Sequence, residues 1–85
     1  MPRALTMISS RTPADDRVRM MARFRRSRDI ARVEGVNYWV FTDRADPTTW
    51  VEFVEASDDE RIRSALRQLE SSSVNDVILS EVELD

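Results

Sequence analysis

The spacing of apolar positions changes several times along the chain, and each change marks an element. Ala4 to Ser9 alternates weakly ahead of a helix start and reads as a first strand, the other reading being a loosely ordered tail over residues 1–10. Thr12, Pro13 and Asp15 have the chemistry of a helix N-terminus: a hydroxyl cap, a proline where no N–H is needed, and a carboxylate at the positive end of the dipole. The helix is expected to run to about Glu34, where Gly35 supplies the left-handed residue that stops it. Such a span is long for so short a chain, which predicts a bend or a frayed turn. Val36-Asn37-Tyr38-Trp39-Val40-Phe41-Thr42 and Trp50-Val51-Glu52-Phe53-Val54-Glu55 are β-branched and aromatic, and Asp43 to Pro47 between them is turn-forming, so the pair reads as an antiparallel hairpin. Ser57 and Glu60 have capping-box spacing, and Ile62, Ala65, Leu66 and Leu69 follow at i, i+3, i+4 and i+7, an amphipathic helix. Ser71-Ser72-Ser73 ends it. Val74 to Leu84 reads as a last strand, with Ile78, Val82 and Leu84 on one face and Val77 and Leu79 on the other. The order β-α-β-β-α-β predicts an α+β fold: one ferredoxin-like domain over residues 1–85, a four-stranded antiparallel sheet with both helices on one face.

Such a sheet leaves its other face uncovered, and the hairpin settles what that face is made of. With Thr42 assumed opposite Thr49, Val36, Tyr38, Val40, Val51 and Phe53 share one side, and Asn37, Trp39, Phe41, Trp50, Glu52 and Val54 share the other. A slip of one residue would regroup both sets. In either register large apolar groups stay on the uncovered side. Leaving Trp39, Phe41 and Trp50 in water forfeits roughly 1.5–3 kcal/mol each, and pairing two sheets back to back removes that cost. Trp39, Phe41, Trp50 and Val54 are therefore the expected interface of a homodimer. The plainer alternative has one Trp capping an edge and the other half-exposed.

Composition narrows the function classes. A chain of 85 residues buries only about 60% of the surface it exposes when unfolded, so its core is thin and association would help it. No apolar run reaches the roughly 18 residues that span a bilayer, and Met1 to Ser10 carries no apolar stretch of signal-peptide kind. A cytoplasmic location is expected. Neither Cys nor His occurs, which removes disulfides, thiol chemistry, the Ser/His triad and most zinc sites together, and no metal or cofactor is expected. The net charge of −3 conceals two opposed halves: nine Arg against three Asp up to Val33, then four Arg against thirteen acids from Glu34 onward. Every basic residue is Arg, which reads as the codon bias of a GC-rich genome, although Arg forks also suit carboxylate pairing.

Glu34-Gly35-Val36-Asn37-Tyr38-Trp39-Val40-Phe41, then Asp46-Pro47, then Trp50-Val51-Glu52 leading into the acidic-capped helix at Ser57, resemble the dimeric α+β barrel superfamily and, within it, the antibiotic biosynthesis monooxygenase-like group. Related domains are appended to some transporters. The resemblance covers about Arg17 to Leu69. It implies two ferredoxin-like units pairing their sheets into a barrel. For members that do chemistry it implies cofactor-free oxygenation or haem degradation in a pocket between sheet and helices, with an Asn on an early strand, a Trp ending the third strand and often a His in the second helix. Here the stretch that should carry that Trp reads Val54-Glu55-Ala56-Ser57, the first strand has no Asn, Asn37 lies on the second strand, and there is no His. Haem degradation is disfavoured, because only Met, Tyr or a carboxylate is left to ligate iron. Cofactor-independent oxygenation stays open, since a substrate carbanion can itself activate oxygen, but the group that would deprotonate the substrate is not visible.

Asn37, Tyr38 and Trp39 form the most pocket-like cluster, offering amide, phenol and indole groups to an aromatic ligand; packing is their plainer reading. Glu52 would serve as a general base if buried, and as a solvated or Arg-paired edge carboxylate otherwise. With Phe53, expected beside Tyr38 in a cavity between sheet and helices, the candidate ligand-binding residues are Asn37, Tyr38, Phe53 and Glu52, and no catalytic residue is assigned. Arg17, Arg19, Arg23, Arg25, Arg26, Arg28 and Arg32 invite a nucleic-acid reading. The acidic total, the interspersed Asp15, Asp16 and Asp29, and the acidic last strand with Glu81, Glu83 and Asp85 argue against it. A solvated helix face paired with the acidic half or with a partner subunit is simpler, each exposed pair contributing about 0–1 kcal/mol. Asp58, Asp59 and Glu60 are an ordinary helix cap rather than a metal site. Two functions are therefore expected: a homodimeric barrel that binds a small aromatic or apolar molecule, with oxygenation implied by resemblance alone, or a non-catalytic dimerisation or regulatory module whose cavity is filled by side chains.

Overall fold

A computed structural model describes residues 2–69 and 77–84. Its elements run β1 (Ala4–Arg11), a 3₁₀ turn (Ala14–Asp16), α1 (Arg17–Glu34), β2 (Asn37–Thr42), β3 (Thr49–Ala56), α2 (Asp59–Gln68) and β4 (Ile78–Ser80). The strands form one sheet in the order β2-β3-β1-β4 with every neighbouring pair antiparallel, which is the ferredoxin-like arrangement. β1 is no tail. It lies inside the sheet, bonded to β3 and β4, because Ala4, Thr6 and Ile8 alternate into the core and the Thr6 hydroxyl donates to the Val77 carbonyl at 2.8 Å. Ser71-Ser72-Ser73 and the stretch from Val74 to Asp76 lie outside the described residues. The last strand ends earlier than expected: the ladder runs to Ser80, the Glu81 N–H adds one bond to the Arg3 carbonyl at 2.8 Å, and Val82 and Leu84 are exposed. Among the described residues no helix is long and apolar enough to cross a membrane.

The helix ends differ in detail from their sequence signals. Thr12 does not cap α1; its N–H bonds the Thr48 carbonyl at 2.9 Å, and the chain enters through Pro13 and the 3₁₀ turn, so the expected irregularity of the long helix falls in its first turn. α2 is capped one residue later than the box spacing suggests, by Asp58, whose carboxylate accepts from the Arg61 N–H at 2.9 Å. Gly35 ends α1 as expected, at φ 74°, with its N–H on Arg32 and that of Val36 on Ala31.

The hairpin register differs from the assumed one by a single residue, with Thr42 opposite Trp50, Val40 opposite Glu52 and Tyr38 opposite Val54. Parity then moves whole sets of side chains. Tyr38, Val40, Trp50, Glu52 and Val54 point toward the helices, while Asn37, Trp39, Phe41, Val51, Phe53 and Glu55 lie on the open face. Trp50 and Val54, expected on the open face with Trp39 and Phe41, are instead buried, and Phe53, expected in the cavity, is on the open face. The reason is visible in the packing. Trp50 packs at a tilt against Phe24 of α1, 5.3 Å between ring centroids, and Val54 joins Ala4, Ala31, Val36, Ala56, Ile62, Ala65 and Leu69 in the core.

The two helices cover the sheet unequally. α2 has 10 residues and α1 has 18, about 15 and 27 Å of helix, against strands of up to eight residues, about 26 Å. The aliphatic core gathers under α2, and the Trp50 end of the sheet is left to α1. Replacing Gly35 by Ala should destabilise the protein by about 1–2 kcal/mol, since the added methyl meets only the end of Arg61 at 3.5 Å and the cost is the left-handed backbone. Thermal unfolding checks this: Gly35→Asn should lose less than Gly35→Ala, and equal losses would point to a steric cause.

Candidate functional site

α1 presents two adjacent stripes. Phe24, Ser27 and Ala31 turn to the core, while Arg17, Met21, Phe24, Arg25 and Arg28 recur at helical spacing along the side that overhangs β2. Because α2 stops short and β2 is the edge strand, that second stripe has only Tyr38, Val40 and Trp50 opposite it. The result is an open cleft of about 300 Å³ between α1 and the hairpin, with an aromatic and aliphatic floor and arginines at its mouth. The Arg17 guanidinium lies over the Trp50 ring at 5.1 Å, a cation–π contact.

Beneath the cleft wall sits a buried polar cluster. Glu52, 1% exposed, receives the Tyr38 hydroxyl on Oε1 and an Arg23 Nη2 donor on Oε2 at 3.3 Å. These contacts join β3 to β2 and to α1. Burial, followed by the hydrogen bond and charge of Glu52, raises the Tyr38 phenol above its ordinary value of 10.0, with Ser27 and Arg23 acting in the opposite direction. Glu52 is thus Arg-paired as the plainer reading had it, but inside the sheet rather than at a solvated edge. Both its oxygens are occupied and it does not line the cleft. Removing one partner of such a pair costs about 3–5 kcal/mol, so the cluster is a structural tie between helix and hairpin.

Of the four candidate ligand-binding residues, Tyr38 lines the cleft and Glu52 lies just behind it. Asn37 and Phe53 are on the far side of the sheet: Asn37 Nδ2 donates to Glu55 Oε1 at 3.1 Å, and Phe53 packs edge-on against Phe41 at 5.3 Å. Sequence reasoning missed Arg17, Met21, Phe24, Arg25, Arg28 and Val40 as one lining. The available signal is Met21, Phe24 and Arg28 at i, i+3 and i+7, two apolar residues on a face whose arginines alone read as solvated. Among the described residues no group of three or more carboxylates is placed to hold a metal ion.

The open face has its own organisation. Trp39, Phe53 and Met7 stand in one row across three strands, with Phe41 and Val51 in the next, and Trp39 and Phe41 are 44% and 56% exposed. Polar groups bound this area at both ends: Asn37, Glu55, Arg3 and Glu81 on one side, Arg11 with Asp46 on the other. No family model, curated protein or solved structure matches this chain. The functional reading therefore rests on the geometry of these two surfaces.

The phenol offers a direct check on the buried cluster. A raised folded value means the stabilising contribution is complete below pH 10.0 and declines as the pH climbs above it, where the unfolded chain ionises first. Tyr38 is the only tyrosine, so near-ultraviolet tyrosinate absorbance reads it alone. It should stay silent through the usual titration range and appear together with unfolding; a reversible titration of the native protein near the ordinary value would show the phenol to be free of Glu52.

Proposed function

We propose that this chain is a small-molecule-binding protein that acts as a homodimer, two sheets pairing back to back into an α+β barrel, each protomer taking an apolar or aromatic ligand in the cleft between α1 and the hairpin. The observation that carries the binding is the cleft: about 300 Å³ walled by Met21, Phe24, Tyr38, Val40 and Trp50, at the lower end of small-molecule pocket sizes. A module whose only product was the dimer would have no use for such a cleft. Binding is favoured over turnover, because the Tyr38 hydroxyl and both Glu52 oxygens are committed to one another and to Arg23, leaving no free base at the aromatic floor. The dimer is supported by the open face, whose apolar centre and polar ends have the anatomy of a protein interface. Cleft and open face lie on opposite sides of the sheet, so each can be tested alone.

In a Trp39→Phe background Trp50 is the sole indole, and its fluorescence should change saturably on titration with one- and two-ring aromatic compounds. In the same background Val40→Phe should narrow the cleft and weaken the response sharply while leaving the oligomeric state intact. No response across the panel, up to the solubility of each compound, would remove the binding reading. Sedimentation should find dimers at micromolar concentration, weakened by Trp39→Ala and broken by Phe41→Glu; a wild-type particle of 9.9 kDa would exclude the pairing.

A further inference from the structure

The charge around the cleft runs against the charge of the chain. Acids outnumber arginines sixteen to thirteen overall, and several arginines are neutralised by carboxylates: Arg3 by Glu55 and Glu81, Arg11 by Asp46, Arg19 by Asp16, Arg23 by Glu52, Arg63 by Asp59. The cleft is lined by three arginines and no acid. Arg17 is engaged by the Trp50 ring rather than by a carboxylate, Arg28 meets Asp29 through Nε at 3.3 Å, and Arg25 has no carboxylate partner among the described residues. Guanidinium groups at the mouth of an apolar recess, without counter-charges in its wall, concentrate positive potential where a ligand would enter. Their planar forks match a carboxylate edge-on, and the aromatic floor of Phe24, Tyr38 and Trp50 matches a flat ring.

We infer that the ligand of this cleft is an aromatic carboxylate of one or two rings, its ring against Phe24, Tyr38 and Trp50 and its anion held by Arg25 and Arg28. This rests on the binding reading above and adds the charge of the ligand to it. Cleft size favours a small molecule over a polyanion, since about 300 Å³ admits a bicyclic ring system and little more.

The experiment compares 2-naphthoate with 2-naphthamide, of nearly the same shape but neutral, by Trp50 fluorescence in the Trp39→Phe protein. Naphthoate should bind at least about tenfold more tightly, the usual worth of charge-assisted hydrogen bonds, and its advantage should shrink with added salt. Arg25→Gln combined with Arg28→Gln should erase that advantage, lowering naphthoate affinity far more than naphthamide affinity; both side chains are exposed, so folding is not at stake. Arg25→Lys should restore part of it in an Arg28 wild-type background. Equal affinity for the two compounds overturns the carboxylate assignment while the binding reading stands, and failure of both to bind overturns that reading itself. An advantage that survives the double substitution places the anion elsewhere and also overturns the assignment.

Discussion

Glu52 is the residue on which the arrangement turns. A carboxylate buried to 1% exposure in the middle of a sheet is tolerable only with donors on both oxygens, and these come from two other elements: the Tyr38 hydroxyl on β2 and the Arg23 guanidinium on α1. The hairpin is thereby held in one register, since a slip of one residue would carry Glu52 to the open face and bring Phe53 under the helices. The same contacts set the height of α1 over the hairpin. Phe24, one residue beyond Arg23, then meets Trp50, and the stripe from Arg17 to Arg28 stands over β2 instead of over empty solvent.

The sheet separates two duties by side-chain parity alone. Even-numbered positions of β2 and β3 build the core and the cleft floor, and odd-numbered positions build the open face. Aromatic residues occur in both sets, Tyr38 and Trp50 in one, Trp39, Phe41 and Phe53 in the other. The first set is covered by helices except along the α1 edge, where the short α2 leaves room. The second is covered by nothing among the described residues, and its polar ends, closed by the Arg3–Glu81 and Arg11–Asp46 pairs, frame an apolar centre. Charge is distributed to match: hydrogen bonds from Thr48 and Thr49 draw Asp46 down to about 2, and Arg3 does the same for Glu81, so both ends of the open face stay polar across the ordinary pH range.

The arginines of α1 illustrate why a count of charges is a weak guide to their use. Seven of them fall on one helix, and from spacing they form a solvated face. In the fold they divide: Arg23 is a half-buried partner of Glu52, Arg19 pairs along the surface with Asp16, Arg17 lies on an indole, and Arg25 and Arg28 stand over an apolar recess. Neighbours that are distant in sequence assign these roles, and an Arg looks the same in each before the chain is folded.

Element order and type were readable from local chemistry, because periodicity, turn residues and Gly35 act over a few neighbouring positions. So was the aromatic load of the hairpin, too large for one side of a small sheet. The parity between β2 and β3 was not, since it depends on how the 43–48 loop closes, with Asp46 gathering Thr48 and Thr49, and one residue of difference exchanged the places of Trp50 and Phe53. The cleft was equally hidden. It exists because two helices of unequal length lie over one sheet, and the space left at the edge is a property of that packing and not of any segment.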